Sequence, residues 1–134
     1  MQKLHSVNIN TEHGVKEICV CCDDVTRFDA NIDIMTTSAF HRSYAPTPRT
    51  VFGALFDSGI DVRALASAPA LDLRNPCHIW LSEEIPAGST RIRRIGCIEF
   101  GGDPAWHSDP FSAEQSVLTS IRAYFRMLDI ASLY

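Results

Sequence analysis

The stretch from Ile32 to Gly59 constrains the fold most, because its hydrophobic pattern changes from that of a strand to that of a helix across one short loop. Residues 32–38 (IDIMTTS) carry Ile, Met and Thr at successive positions, which suits a largely buried strand. Residues 43–49 (SYAPTPR) hold two prolines and lead into VFGALFDS, closed by Gly59. Thr47 suits an N-cap, Pro48 the first helical position and Gly59 the residue past the helix end. The sequence therefore predicts a helix from about Pro48 to Ser58. Val51 with Leu55, and Phe52 with Phe56, stand four apart and give it a wide apolar face to lay on a sheet.

The flanking segments extend this unit into an α/β domain with a mixed sheet and flanking helices. Residues 4–10 (LHSVNIN) and 15–22 (VKEICVCC) are β-prone runs separated by Thr11, Glu12, His13 and Gly14, which have the composition of a hairpin turn. Residues 59–76 fit two patterns. Ile60, Val62 and Ala64 alternate as in a strand, and DVRALAS suits a short helix begun by Asp61. Residues 78–85 and 90–100 form a second hairpin pattern around Pro86, Ala87, Gly88 and Ser89. After the polar loop GGDPAWHSDP, Ser112 and Gln115 make a capping-box pattern. Val117, Leu118, Ile121, Tyr124, Phe125 and Leu128 then recur at helical spacing. No repeat, low-complexity tract or linker interrupts residues 1–134, which are expected to form a single domain.

Composition excludes several classes. A chain of 134 residues that is 46% hydrophobic is long and apolar enough for a core without staples. Net charge is −4 and the twelve basic residues are scattered, apart from Arg91, Arg93 and Arg94. No nucleic acid and no membrane partner is expected from such a pattern, and no apolar run approaches the ~20 residues that span a bilayer. The five cysteines are odd in number and follow no secreted framework, and Met1, Gln2 and Lys3 open no apolar signal. A reducing, cytoplasmic setting with buried, inert thiols is expected. Cys77, His78 and Cys97 lack the second ligand pair that a zinc site needs, so no metal and no cofactor are assigned.

Candidate chemistry lies where the strand at 32–38 feeds a helix N-terminus. Free N–H groups and the helix dipole favour an anion at such a place. A phosphate there would meet the backbone of Arg49, Thr50 and Val51, the hydroxyls of Thr47 and Thr50, and the Arg49 guanidinium. The plainer alternative is that Thr47 and Pro48 only start a helix and Arg49 is solvated. No catalytic residue is assigned. Cys77 and His78 are adjacent, which sends them to opposite faces of a strand. Asp23 with Asp24, and Glu83 with Glu84, suit turn or surface chemistry, and Trp106 and His107 suit local packing in a loop.

Five short motifs, in order, resemble the macro domain family. Asp23-Asp24-Val25-Thr26 resembles its G-D-[IV]-T motif, and residues 32–39 (IDIMTTSA) resemble its buried strand V-D-A-I-V-N-A-A-N. Residues 50–55 (TVFGAL) resemble its G-V-x-G-A-I helix start, residues 85–88 (IPAG) its L-P-A-K turn, and residues 123–131 (AYFRMLDIA) its C-Y-x-x-x-L-x-x-A helix. The resemblance implies a three-layer α/β fold that binds ADP-ribose or a related nucleotide. Carried over, Asp24 accepts from the adenine amino group and the Val25 backbone donates beside it. Thr37, Ser38, Ala39, Phe40, Thr47, Arg49, Thr50 and Val51 line the ribose and phosphates.

Departures from the family shape the expectation. Phe40 stands where hydrolytic members carry asparagine, so binding without hydrolysis is implied, as in a sensor or regulatory module. The phosphate-binding glycines are replaced by Tyr44-Ala45-Pro46-Thr47-Pro48-Arg49, and the two prolines have no N–H to offer. The chain ends at Tyr134, where family members continue into another strand. A truncated sheet with an open edge implies a homo-oligomer or a partner protein. The alternative reading is thus a non-catalytic scaffold, in which Phe40 and Tyr44 plug the crevice.

Overall fold

In the computed structural model, residues 2–131 are described. The chain end at Tyr134, on which the expectation of a missing strand rests, lies outside them. The chain divides into two compact units, residues 1–31 and 32–134.

The first unit is a hairpin followed by one 3-10 turn. Strand β1 (Gln2–Thr11) pairs antiparallel with β2 (Gly14–Cys22), as the alternating runs predict. Val7 faces Ile18, His5 faces Val20, and Ile9 faces Lys16. Residues directly opposite share a face, so Val7, Ile9, Ile18 and Val20 line one side of the ribbon and remain exposed. Cys19 and Cys22 are also exposed, which corrects the expectation of buried thiols. Residues Val25–Arg27 form the turn, and the Asp24 carboxylate caps it by accepting from the Thr26 N–H at 2.9 Å.

The second unit is a four-stranded mixed sheet with helices, an α/β fold. Its strands are β3 (Ile32–Phe40), β4 (Leu71–Leu73), β5 (Ile79–Leu81) and β6 (Ile92–Phe100), in the spatial order β3-β6-β5-β4. β3 runs parallel to β6, and the other neighbours are antiparallel. The helices are α1 (Val51–Asp57), α2 (Val62–Ser67), the short α3 (Arg74–Cys77) and α4 (Pro110–Ala131). Alternation along β5 explains the layering. Ile79 and Leu81 meet Tyr124 and Met127 of α4 on one face, with Ile98 of β6. Trp80 points the other way, onto Tyr44, whose ring also lies against Phe52 of α1. The Trp80 indole N–H donates to the Tyr44 hydroxyl at 3.1 Å, so this buried polar pair is satisfied.

Three local expectations change. β3 lies at the sheet edge with most of its residues exposed or half-buried, since only β6 pairs with it. Its apolar content had suggested burial on both faces, but Thr36, Thr37 and Ser38 suit an edge equally well. Helix α1 starts at Val51, capped by Thr50 rather than Thr47: Thr50 Oγ1 accepts from the Gly53 N–H at 3.1 Å. Arg49 has a left-handed φ of 67°, which no helical first turn tolerates. Helix α4 is capped by Asp109 rather than Ser112, the Asp109 carboxylate accepting from the Ser112 N–H at 2.9 Å. The ambiguous segment 59–76 resolves into α2, capped by Asp61, and the three-residue β4.

Candidate functional site

Two depressions of the second unit share the segment that follows β3. The first is a crevice of about 330 Å³ bounded by the end of β3, the loop after it and the start of α1. Thr37, Ser38, Ala39, Phe40, Thr47, Thr50 and Val51 line it, joined by Ser43, Ala45, Phe52 and Phe100. Seven residues singled out from the sequence thus converge on one place. The lining is hydroxyl-rich and aromatic and carries no charge. Phe40 is 73% exposed and Tyr44 is spent on the core, so neither side chain fills the crevice as the scaffold reading expected.

The remaining sequence candidates lie elsewhere. Arg49 is exposed and absent from the crevice wall. Thr50 Oγ1 is engaged in capping α1 and in donating to the Thr47 carbonyl at 2.6 Å. Asp24 and Val25 belong to the hairpin unit, where Asp24 also accepts from the Thr26 hydroxyl at 2.7 Å. Those bonds, and the nearby Arg27, hold the Asp24 carboxyl below its ordinary range.

The second depression, about 590 Å³, was not legible as a site from spacing. His41, Arg42 and Tyr44 from the loop after β3 line it, with Arg63 and Ser67 of α2, Arg74 and Asn75 of α3, His78, and Glu99 of β6. The sheet ladder assembles its floor. The His41 N–H donates to the Phe100 carbonyl at 2.8 Å, and the Glu99 N–H donates to the His78 carbonyl at 2.7 Å. Glu99 is therefore set between the two histidines, whose rings lie edge to face with centroids 6.4 Å apart.

Electrostatics single out Glu99. It is 2% exposed, and no well-aligned hydrogen bond reaches either carboxylate oxygen. The His41 Nδ1 lies 3.4 Å from its Oε2, within ion-pair range. Burial pushes the Glu99 carboxyl up, against the opposing pull of the Arg42 backbone and of the His41 and Arg42 charges. The His78 Nδ1 is likewise buried without a partner. Arg42 and His78 have left-handed φ values of 56° and 58°, uncommon for residues other than glycine and concentrated at functional sites. A Cβ on Gly102 would collide with the His41 ring, so the loop after β6 leaves room for that imidazole. One sequence feature could have marked Glu99, though not the depression around it: Ile95, Cys97 and Glu99 alternate on one face of β6, which places a carboxylate in an otherwise apolar row. Cys97 is buried beside it, and desolvation pushes its thiol up to about 12, which leaves it inert at neutral pH.

Among the described residues no cluster of three or more metal-ligating side chains occurs, and no helix is long and apolar enough to cross a membrane. Comparison with known protein families, with curated proteins and with solved structures gives no match. The α/β fold and the geometry of the two depressions therefore carry the functional argument.

Proposed function

We propose that the chain binds a nucleotide-type ligand of the ADP-ribose class without hydrolysing it, as a sensor or regulatory module. The observation that supports this reading is the crevice at the carboxyl end of β3, whose wall includes the hydroxyl-bearing residues Thr37, Ser38, Ser43 and Thr47 together with Phe40, which is largely exposed. Hydroxyls can bond a ribose, an aromatic face can stack on a base, and strand ends of α/β sheets are where such ligands sit.

Calorimetric titration with ADP-ribose, NAD, ATP and cyclic nucleotides tests it. At least one is expected to bind. Phe40→Ala should then weaken binding about tenfold, since stacking of a base on an aromatic ring contributes ~1–3 kcal/mol. Arg49→Glu should change affinity less, because Arg49 does not line the crevice. Absence of binding to all four, or indifference to Phe40→Ala, would remove the reading.

A second reading, a scaffold that associates through its surface, is favoured by the hairpin, whose apolar face presents Val7, Ile9, Ile18 and Val20 to solvent. The two readings separate in the same titrations, because a scaffold binds none of these nucleotides.

A further inference from the structure

We propose that the depression between His41, α2 and α3 is a binding site for a phosphate-class oxyanion, independent of the nucleotide crevice. In this site the His41 imidazole, backed by the buried Glu99 carboxylate, donates to the anion, while Arg42 and Arg63 supply positive charge. Three observations converge on it. The first is charge: three arginines and two histidines from separate segments line one cavity, and among the described residues Glu99 is the only carboxylate in its wall. Arg74 is partly neutralised by a bidentate pair with Asp72, with nitrogen to oxygen distances of 2.9 and 2.7 Å. Arg42 and Arg63 have no carboxylate within ion-pair range among the described residues. Two guanidinium groups facing a concave space are suited to an oxyanion.

The second is Glu99 itself. A carboxylate that is 2% exposed and has only poorly aligned contacts with the Arg42 backbone and His41 is incompletely compensated for its lost hydration. Its place beside the His41 Nδ1, at 3.4 Å, gives it a role: it sets a carboxylate against that nitrogen and leaves the ring's Nε2 for a ligand. The third is the shaped backbone, with left-handed Arg42 and His78 and the small Gly102 around the His41 ring. The other groups facing this ring are Glu99 of β6, Arg42 of the loop after β3, Arg63 of α2, Arg74 of α3 and His78 ahead of β5, with Asp103 acting on His78.

Calorimetry on the full chain, with sulfate and pyrophosphate as probes, tests the site. Sulfate keeps its charge between about pH 6 and 8, so a pH dependence of its binding belongs to the protein. Sulfate should bind about tenfold more tightly at pH 6 than at pH 8, and pyrophosphate more tightly than sulfate, because charge-assisted bonds add with each oxygen engaged. Arg63→Ala should weaken binding at both pH values by about fivefold or more. His41→Ala should flatten the pH dependence, whereas His78→Ala should keep it. Glu99→Gln, a change of a positioning residue, should retain sulfate binding at pH 6 and move its fall to lower pH. Failure of sulfate to bind at pH 6 overturns the proposal, as does an undiminished pH dependence in His41→Ala or a Glu99→Gln profile that superimposes on the original. Sulfate binding with the expected profile but no nucleotide binding would remove the nucleotide reading and leave this site standing.

Discussion

Glu99 shows how a single residue can oppose the packing that surrounds it. Its neighbours on the same face of β6, Ile95 and Cys97, are fully buried, and a carboxylate in that row is desolvated without full compensation. Burial raises its folded pKa above the unfolded value, so the native state binds the proton more tightly. Stability tied to this group is then present at low pH and is lost as pH rises from the unfolded toward the folded pKa. Glu99→Gln should accordingly raise the unfolding free energy by about 1 kcal/mol or more at pH 8, with a smaller gain near pH 4, measured by urea denaturation. An equal gain at both pH values would mean that the carboxylate charge is not what costs stability. Gly96 is constrained in the opposite sense, by space: a Cβ there would strike the Tyr124 hydroxyl, which is hydrogen-bonded to Thr36 at 2.6 Å. Gly96→Ala should cost about 1–3 kcal/mol, the usual penalty for overpacking.

At the scale of elements, the caps decide where helices begin, and both expected helix starts move by three residues for this reason, from Thr47 to Thr50 and from Ser112 to Asp109. Thr50 and Asp109 supply the side-chain acceptors, where Thr47 and Ser112 had seemed suited. Thr50→Ala and Asp109→Ala should each destabilise by roughly 1 kcal/mol, whereas Thr47→Ala should cost less, which thermal unfolding of the three variants compares. Helix α4 packs on the sheet through Tyr124 and Met127. Met127 is 1% exposed between Ile79, Leu81 and Tyr124, and Met127→Ala should cost about 2–5 kcal/mol.

At the scale of the whole molecule, open β edges matter more than composition. β3 is nine residues long and is paired on one side only, by β6. The hairpin of the first unit is two-stranded, and isolated ribbons of that kind are marginal in water. Both features favour strand addition from another chain. Light scattering at micromolar concentration should therefore find a mass above the 14.9 kDa of one chain. A monomer throughout, with fast amide exchange along β3, would remove the basis for association.

Hydrophobic period and turn chemistry are local, and they sufficed to find the hairpin at 2–22, β3, the helix after it, β6 and α4 from residues alone. The α/β class followed from their order, and so did the meeting of the end of β3 with the start of α1, because a strand, a short loop and a helix start must lie together; Asp24, Val25 and Arg49, assigned to the same site from the resemblance, are not in the crevice wall. Caps escaped because Thr47 and Thr50, or Asp109 and Ser112, are equivalent until the φ of Arg49 and the path of the loop select one. The position of β3 at an edge and the cationic depression were decided by tertiary structure alone. His41, Arg63, Arg74 and Glu99 stand on four separate segments of the sequence and share no spacing rule. Only the pairing of β6 with both β3 and β5 sets Glu99 between the two histidines, in a wall that Arg63 of α2 and Arg74 of α3 complete.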